Sequence, residues 1–379
     1  MNYQKIKNLS NPNKGVYGIG ASSCDYNSKY PQYLRITDID DNGYAPYTLE
    51  TCINPNLYKN WNKYVLNKND IVFARTGNST GRNFFCKNIK PNTVFAGFLI
   101  KFSIDPTLIN PQYLGYYCQS KSYWNQVSSL FTGSTRNNIN AEQYGDLLIP
   151  VVDYALQQHI VNTIGSVDDL LENYQSRINK ICEILDISLK KYPDKTTFEY
   201  HNPNIIKSGI TLFDKTKVYV DTSTIEGINN ISEGEIISYN KRPSRANMQP
   251  VKNSVWFAKM KGSNKKLIIT NNDIDLIDNY ILSTGFLGLE ASKKLPLTFL
   301  SAIIISNDFN LQRDLNSVGT TMAGVNNDTF IKILVPLLDD NELNDYELKY
   351  HYYIDELSLL RRKINKLKEI KSQLLDKYF

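Results

Sequence analysis

Two arginines bracket the segment RTGNSTGR, Arg75 to Arg82, which follows the strand-like run DIVFA. A guanidinium presents a rigid fork of donors that matches the oxygens of a phosphate or the O6 and N7 acceptors of guanine. Thr76 and Asn78 add polar groups, and Gly77 and Gly81 let the backbone approach a partner closely. No Gly-Lys-Ser/Thr ending follows, so this is not a P-loop. A plain glycine hairpin is the bland alternative. A second polar cluster, GSTRNNIN from Gly133 to Asn140, adds Arg136 and ends on an Asn that can cap the turn after it.

Groups for making or breaking bonds do not assemble in the same way. Amino-group methylation of a flipped base uses an Asp/Asn-Pro-Pro-Tyr/Phe loop, whereas this chain has only Asn-Pro-Asn and Asn-Pro-Gln. Pro193-Asp194 begins like a nuclease motif, but no Asp/Glu-x-Lys follows at a useful distance. His159, His201 and His351 are scattered, without Ser-His-Asp or metal-ligand spacing. His159 and His351 lie near helix starts and read as surface or packing residues. The expectation is a chain with no catalytic residue, metal or cofactor of its own.

A formal net charge of +5, from 43 basic and 38 acidic residues, would not by itself point to nucleic acid. Its distribution does. Residues 236–272 hold no acid and carry Lys241, Arg242, Arg245, Lys252, Lys259, Lys261, Lys265 and Lys266. Residues 71–141 hold one acid, Asp105, against Arg75, Arg82, Lys87, Lys90, Lys101, Lys121 and Arg136. Two acid-poor basic stretches are what phosphate contacts with counterion release require; basic solvated faces are the competing explanation. In the second stretch YNKRPSRAN, Tyr239 to Asn247, reads as the counterpart of RTGNSTGR, although it lacks the glycines.

The five cysteines are odd in number and form no Cys-x-x-Cys pair, so neither a zinc ribbon nor a disulfide framework is expected. No signal peptide and no apolar run near 18 residues is visible, which makes the cytoplasm the default location, with no membrane partner.

These groups are positioned by a repeated element. Gly133–Asp153 (GSTRNNINAEQYGDLLIPVVD) aligns without gaps to Gly319–Asp339 (GTTMAGVNNDTFIKILVPLLD) at an offset of 186, which persists through RINKI and KINKL. A heptad seam follows each copy. The first runs Ile160, Ile164, Val167, Leu171, Tyr174, Ile178, Ile181, Leu185. The second runs Tyr346, Tyr350, Tyr353, Leu357, Leu360, Ile364, Leu367, with Ile370 beside Lys371. Before each helix, short β-like runs alternate with turn residues, as in mixed α/β domains with mainly antiparallel strands. The plan is domain 1–153, helix 154–193, domain 194–339, helix 340–379. Helix two can run back along helix one as an antiparallel pair, or the seams can join two chains.

YLRITDIDDNG (Tyr33–Gly43), DIVFARTGNSTG, GSTRNNINAEQYGDLLIP, the LQQHI helix start and the near-duplicate second half together resemble a type I restriction-modification specificity subunit, over essentially the full length. Two departures stand out. The approach to the first helix reads VVDYALQQHIV where the family usually has a proline-rich stretch with Glu before Gln-Gln. The second domain, with FAKMKGSNKKL and NYILSTGFLGLE, has diverged from the first. The resemblance implies an α+β fold of two target-recognition domains separated by a long antiparallel coiled coil. It implies a bipartite double-stranded DNA target, one half per domain, and two adenine-N6 methyltransferase subunits carrying S-adenosylmethionine. Restriction subunits would be further partners. A stand-alone DNA-binding regulator dimerising through its coil is the alternative. The residues expected at DNA are Arg75, Thr76, Asn78, Arg82, Arg136, Lys241, Arg242, Arg245, Lys259 and Lys261. Those expected in the coil are Ile160, Ile164, Val167, Leu171, Ile178, Leu357, Leu360, Ile364 and Leu367.

Overall fold

A computed structural model describes residues 2–131, 137–232, 234–320 and 323–379, so Arg136 lies outside the described residues. The fold is mixed α/β. It divides into two compact units, Met1–Asp169 with Lys368–Phe379, and Leu170–Leu367.

In the first unit, DIVFA forms the strand Asp70–Ala74 with every residue buried, as an apolar, β-branched run in a sheet interior should be. With Val16–Tyr17 as β2, Asp70–Ala74 as β3, Asn83–Phe85 as β4 and Leu99–Ser103 as β5, the sheet order is β2-β5-β3-β4, antiparallel throughout. The first strand, β1 (Asn2–Lys5), pairs antiparallel with β6 (Leu148–Val151), which leads into the first long helix. Helices α1 (Pro111–Tyr117) and α2 (Lys121–Ser129) cover the sheet with Tyr113, Tyr117, Tyr123 and Val127 buried. Asn140 caps α3 (Ala141–Gly145) in a reciprocal box with Gln143.

The second unit reuses this frame. Strands β8 (Asn204–Ile205), β12 (Ser254–Ala258), β13 (Lys266–Ile269) and β15 (Phe286–Glu290) run β8-β15-β12-β13, again antiparallel. Strand β7 (Lys195–Thr197) pairs with β16 (Leu334–Pro336), as β1 does with β6. A second sheet joins β9 (Lys217–Val220), β10 (Glu235–Ile237), β11 (Ala246–Met248) and β14 (Tyr280–Ser283), with one parallel pair, β9 and β14. Helix α5 (Leu297–Ile305) is buried along its length except at Leu297. Helix α6 (Asn307–Leu315) lies 186 residues after α2, and both are capped by serines, Ser120 and Ser306. Asn326 caps the short helix Asn327–Phe330 as Asn140 caps α3.

Each long helix contributes to both units. The first, α4, spans Tyr154–Leu189, and α7 spans Asp340–Tyr378. In the first unit, Ile160 and Ile164 join a core that includes Leu375, while Asp168 accepts from Lys371 at 2.8 Å and from Tyr116 at 2.9 Å. In the second unit, Ile178, Ile181 and Leu185 are buried with Tyr346, Tyr350, Ile354, Leu357, Leu360 and Ile364. There Ser188 meets the Tyr346 hydroxyl at 2.6 Å, and Arg177 pairs with Glu356. Early α4 residues therefore meet late α7 residues in one unit, and late meet early in the other. Val167 is buried, Leu171 and Leu367 are half-buried, and Ile354 fills a seam position expected for Tyr353.

One α7 residue is unexpected. Arg361 is fully buried; it donates to the Ile268 carbonyl at 2.7 Å and pairs with Asp273. Asp273 also accepts from Ser358 at 2.6 Å and from the Thr270 backbone at 2.8 Å. Burial alone would raise the Asp273 pKa, but the Arg361 charge and these hydrogen bonds outweigh it and hold the carboxyl below its usual value. This network ties the helix to the sheet beneath it.

Candidate nucleic-acid interface

In the first unit the segment after β3 is hung on backbone hydrogen bonds. The Arg75 N–H donates to Phe98 O at 3.0 Å, the Arg75 carbonyl accepts from Ile139 at 2.9 Å, and Gly77 N–H donates to Asn137 O at 3.3 Å. Thr76 bridges to Asn138 across this seam. At Gly81, with φ of +96°, a Cβ would sit 2.7 Å from the Trp124 ring, so only glycine fits the return to β4. Buried Tyr144 and Tyr123 clamp the same residue: Gly81 N–H donates to Tyr144 Oη at 3.0 Å, and Tyr123 donates to Gly81 O at 2.7 Å.

The Arg75 guanidinium lies 4.9 Å from the Tyr17 ring centroid, with Nε 3.4 Å from Asn138 Oδ1. Asn138, Phe98, Tyr17 and Asn78 are exposed around it. This is an aimed cation amid aromatic and amide groups. Arg82 differs. Its fork is occupied by Asp41, with Nε donating at 2.6 Å and Nη2 at 3.1 Å, while Nη1 reaches Ile39 O at 3.3 Å. Several first-stretch lysines are likewise engaged. Lys101 pairs with buried Asp70 at 3.1 Å, Lys121 with Asp376 at 2.5 Å, and Lys90 stacks on Tyr26.

In the second unit the counterpart of RTGNSTGR is not YNKRPSRAN. The sheet register makes Ala258 the equivalent of Ala74, so the equivalent segment is KMKGSNKK, Lys259–Lys266. The hydrogen bonds recur with it. Lys259 N–H donates to Gly285 O at 3.0 Å, the Lys259 carbonyl accepts from Val325 at 3.0 Å, and Lys261 N–H donates to Ala323 O at 2.9 Å. Met260 bridges to Gly324, 186 residues after Asn138. The turn also has its glycine, Gly262, at a φ of +74° beside the +73° of Gly77. YNKRPSRAN instead forms a turn and the start of β11 in the second sheet, because its strand partner is β14 rather than β12.

That segment still delivers a residue here. Exposed Arg245 ends against Gly285, where a Cβ would lie 3.3 Å from its Nη2. Burial, and then the Arg245 charge, lower the pKa of half-buried Lys259, so the two cations share one neighbourhood. Lys261 is exposed beside them. Arg242 stacks on the Tyr239 ring at 4.1 Å and donates to the Tyr239 carbonyl, and Lys241 is exposed nearby. Two second-stretch lysines point inward. Lys265 donates to Thr222 O at 2.6 Å; Lys266 is buried, donates to Ile305 O at 3.1 Å, and is pushed down to about 7 by burial and then by Arg313.

No group of three or more His, Cys, Asp or Glu among the described residues could hold a metal. His201 is buried with its pKa lowered by burial and then by Lys294, while His351 is exposed and meets backbone carbonyls of its own helix. No helix of the described residues is long and apolar enough to cross a membrane.

Residues 22–183 match the family model described as the type I restriction modification DNA specificity domain. That match covers less than half of the chain and makes its first half similar to that family. Among solved structures, the type I restriction-modification system S subunit from M. genitalium is 17% identical, covering 100% of this chain and 96% of its own at a TM-score of 0.50. That likeness is one of fold. The HsdS subunit from Thermoanaerobacter tengcongensis is 13% identical, covering 99% and 95% at a TM-score of 0.35. No curated protein matches the chain.

Proposed function

We propose that this chain reads a bipartite, asymmetric duplex target, one half-site per unit, and holds the subunits that act on that DNA. The carrying observation is the duplicated loop. One set of backbone hydrogen bonds suspends Arg75 in the first unit and Lys259 in the second, while the exposed side chains around them differ. A common scaffold with two side-chain chemistries suits two unlike half-sites.

In this reading Arg75, Thr76 and Asn78 face the first half-site, Arg82 braces their loop through Asp41, and Arg136 is a further contact assigned on sequence alone. Lys241, Arg242, Arg245, Lys259 and Lys261 supply the cations that face the second half-site. The readers, residues 1–153 and 194–339, are spaced by helices 154–193 and 340–379 paired as an antiparallel coiled coil. Two adenine-N6 methyltransferase subunits dock around that coil and bring S-adenosylmethionine; restriction subunits add ATP-driven cleavage. The chain supplies position rather than catalysis, and its site of action is the cytoplasm.

Co-expression with adenine-N6 methyltransferase subunits tests this reading. The expected result is a co-purifying complex that methylates adenines in a split motif, with the isolated chain modifying nothing. A chain that never associates with methyltransferase, and binds DNA as a homodimer, would favour a stand-alone regulator. The coil makes the gap measurable. One heptad in each helix adds about 10 Å at about 1.5 Å per residue, so the unread gap should lengthen by about three base pairs. An unchanged gap would rule out the coil as spacer.

A further inference from the structure

At the second-unit loop the equivalents of two polar residues have become apolar or vanished. Thr76 is replaced by Met260 and Asn138 by Gly324, at the same position in the same backbone bridge. Gly324 also bridges to Val318, so Met260 and Val318 flank a glycine floor. The floor cannot carry a side chain, because a Cβ on Gly324 would sit 2.8 Å from the Lys259 carbonyl. Met260 and Val318 are 50% and 52% exposed, an odd investment of apolar surface beside Lys259, Lys261 and Arg245. Cations that attract a phosphate backbone would press this notch against a groove. The group in the major groove that an apolar notch recognises is the 5-methyl of thymine.

We propose that Met260 and Val318 form a thymine-methyl contact that sets specificity in the second half-site, where the first unit uses hydrogen-bonding groups. This rests on the reading of these loops as the DNA-facing edge. Its chemistry differs from that of the cations: they supply affinity for any sequence, and the notch supplies choice.

The test uses the complex with its methyltransferase subunits and a duplex carrying the target found by methylation mapping. Each thymine is replaced in turn by deoxyuridine, which removes one methyl and leaves every hydrogen-bonding group in place. At one thymine the dissociation constant should rise about three- to tenfold, as expected for one buried methyl. That sensitivity should disappear in a Met260→Ser, Val318→Ser variant, which removes both apolar side chains and every methyl from the notch. If no thymine is sensitive in the wild type while the target is still preferred over scrambled DNA, the inference fails and the reading of the loops stands. If every sensitive thymine keeps its full sensitivity in the double variant, the inference also fails. No preference for the target over scrambled DNA would instead bring down the reading beneath it.

Discussion

The two loop edges are built alike and charged alike, yet they present different surfaces. In the first unit, Arg75 is held by the Tyr17 ring and Asn138, a fixed fork with little freedom left to lose on binding. In the second, Lys259 and Arg245 crowd each other beside Met260, a less directional positive field around an apolar notch. The backbone frame tolerates this because it is fixed by main-chain partners, Phe98 and Ile139 in one unit and Gly285 and Val325 in the other. In the proposed reading, placement and recognition are thus carried by different atoms, and recognition can change without disturbing placement.

The contrast extends under the loops, where the largest effects are expected. Arg361 and Asp273 are both buried, whereas Lys101, paired with Asp70, keeps 12% of its side chain exposed. Removing one partner of a buried pair leaves an uncompensated charge. Arg361→Met should destabilise the chain by about 3–5 kcal/mol in denaturant unfolding. Lys101→Met should cost less, because the Lys101–Asp70 pair keeps some access to solvent that Arg361 and Asp273 lack. Equal losses would erase the distinction.

A second difference lies at equivalent positions in the strands after the loops. Asn83 donates to the Cys118 carbonyl at 2.7 Å, and Lys266 to that of Ile305 at 3.1 Å. The amide is neutral; the lysine is buried with its pKa lowered from 10.5 to about 7. Between those two values the unfolded chain binds the extra proton, so the Lys266 contribution to stability rises with pH across that window and is flat below it. Wild type minus Lys266→Met should show that rise, with a slope of up to about 1.4 kcal/mol per pH unit. A difference independent of pH would mean that Lys266 keeps an ordinary pKa.

Smaller effects are expected at the proposed DNA edge. Arg75→Ala should weaken binding by about 1–3 kcal/mol and relax preference at one base pair. Lys259→Ala should weaken all sequences alike and lower the salt slope by about 1. Competition binding over a salt series separates the two patterns, and identical patterns would undo the contrast drawn here. Arg82→Ala should fall below Arg75→Ala, since its fork already serves Asp41.

Much of this was legible in the residues. Buried DIVFA, the capping asparagines Asn140 and Asn326, and the cations at Arg75 and Lys259 follow from pattern and composition. The sequence misplaces the equivalence of the loops because YNKRPSRAN, with two arginines and a proline after the strand-like EIISY, looks more like RTGNSTGR than KMKGSNKK does. The signal that locates it is short: Phe-Ala-Arg at 73–75 and Phe-Ala-Lys at 257–259 close matching apolar runs. Nothing local in the sequence marks Arg361 for burial, because its partner Asp273 is 88 positions away. Nor could spacing reveal that Asp41 occupies Arg82 or that Lys266 faces inward. Both depend on tertiary partners.

Adenine-methylation mapping in cells carrying the chain with its methyltransferase subunits, wild type or Arg75→Ala, bears most directly on two independent readers in one molecule. The expected wild-type motif is two short blocks separated by a fixed unread gap, and the variant should degrade one block while leaving the other block and the gap intact. A single contiguous motif, or loss of definition in both blocks from that one substitution, would contradict it.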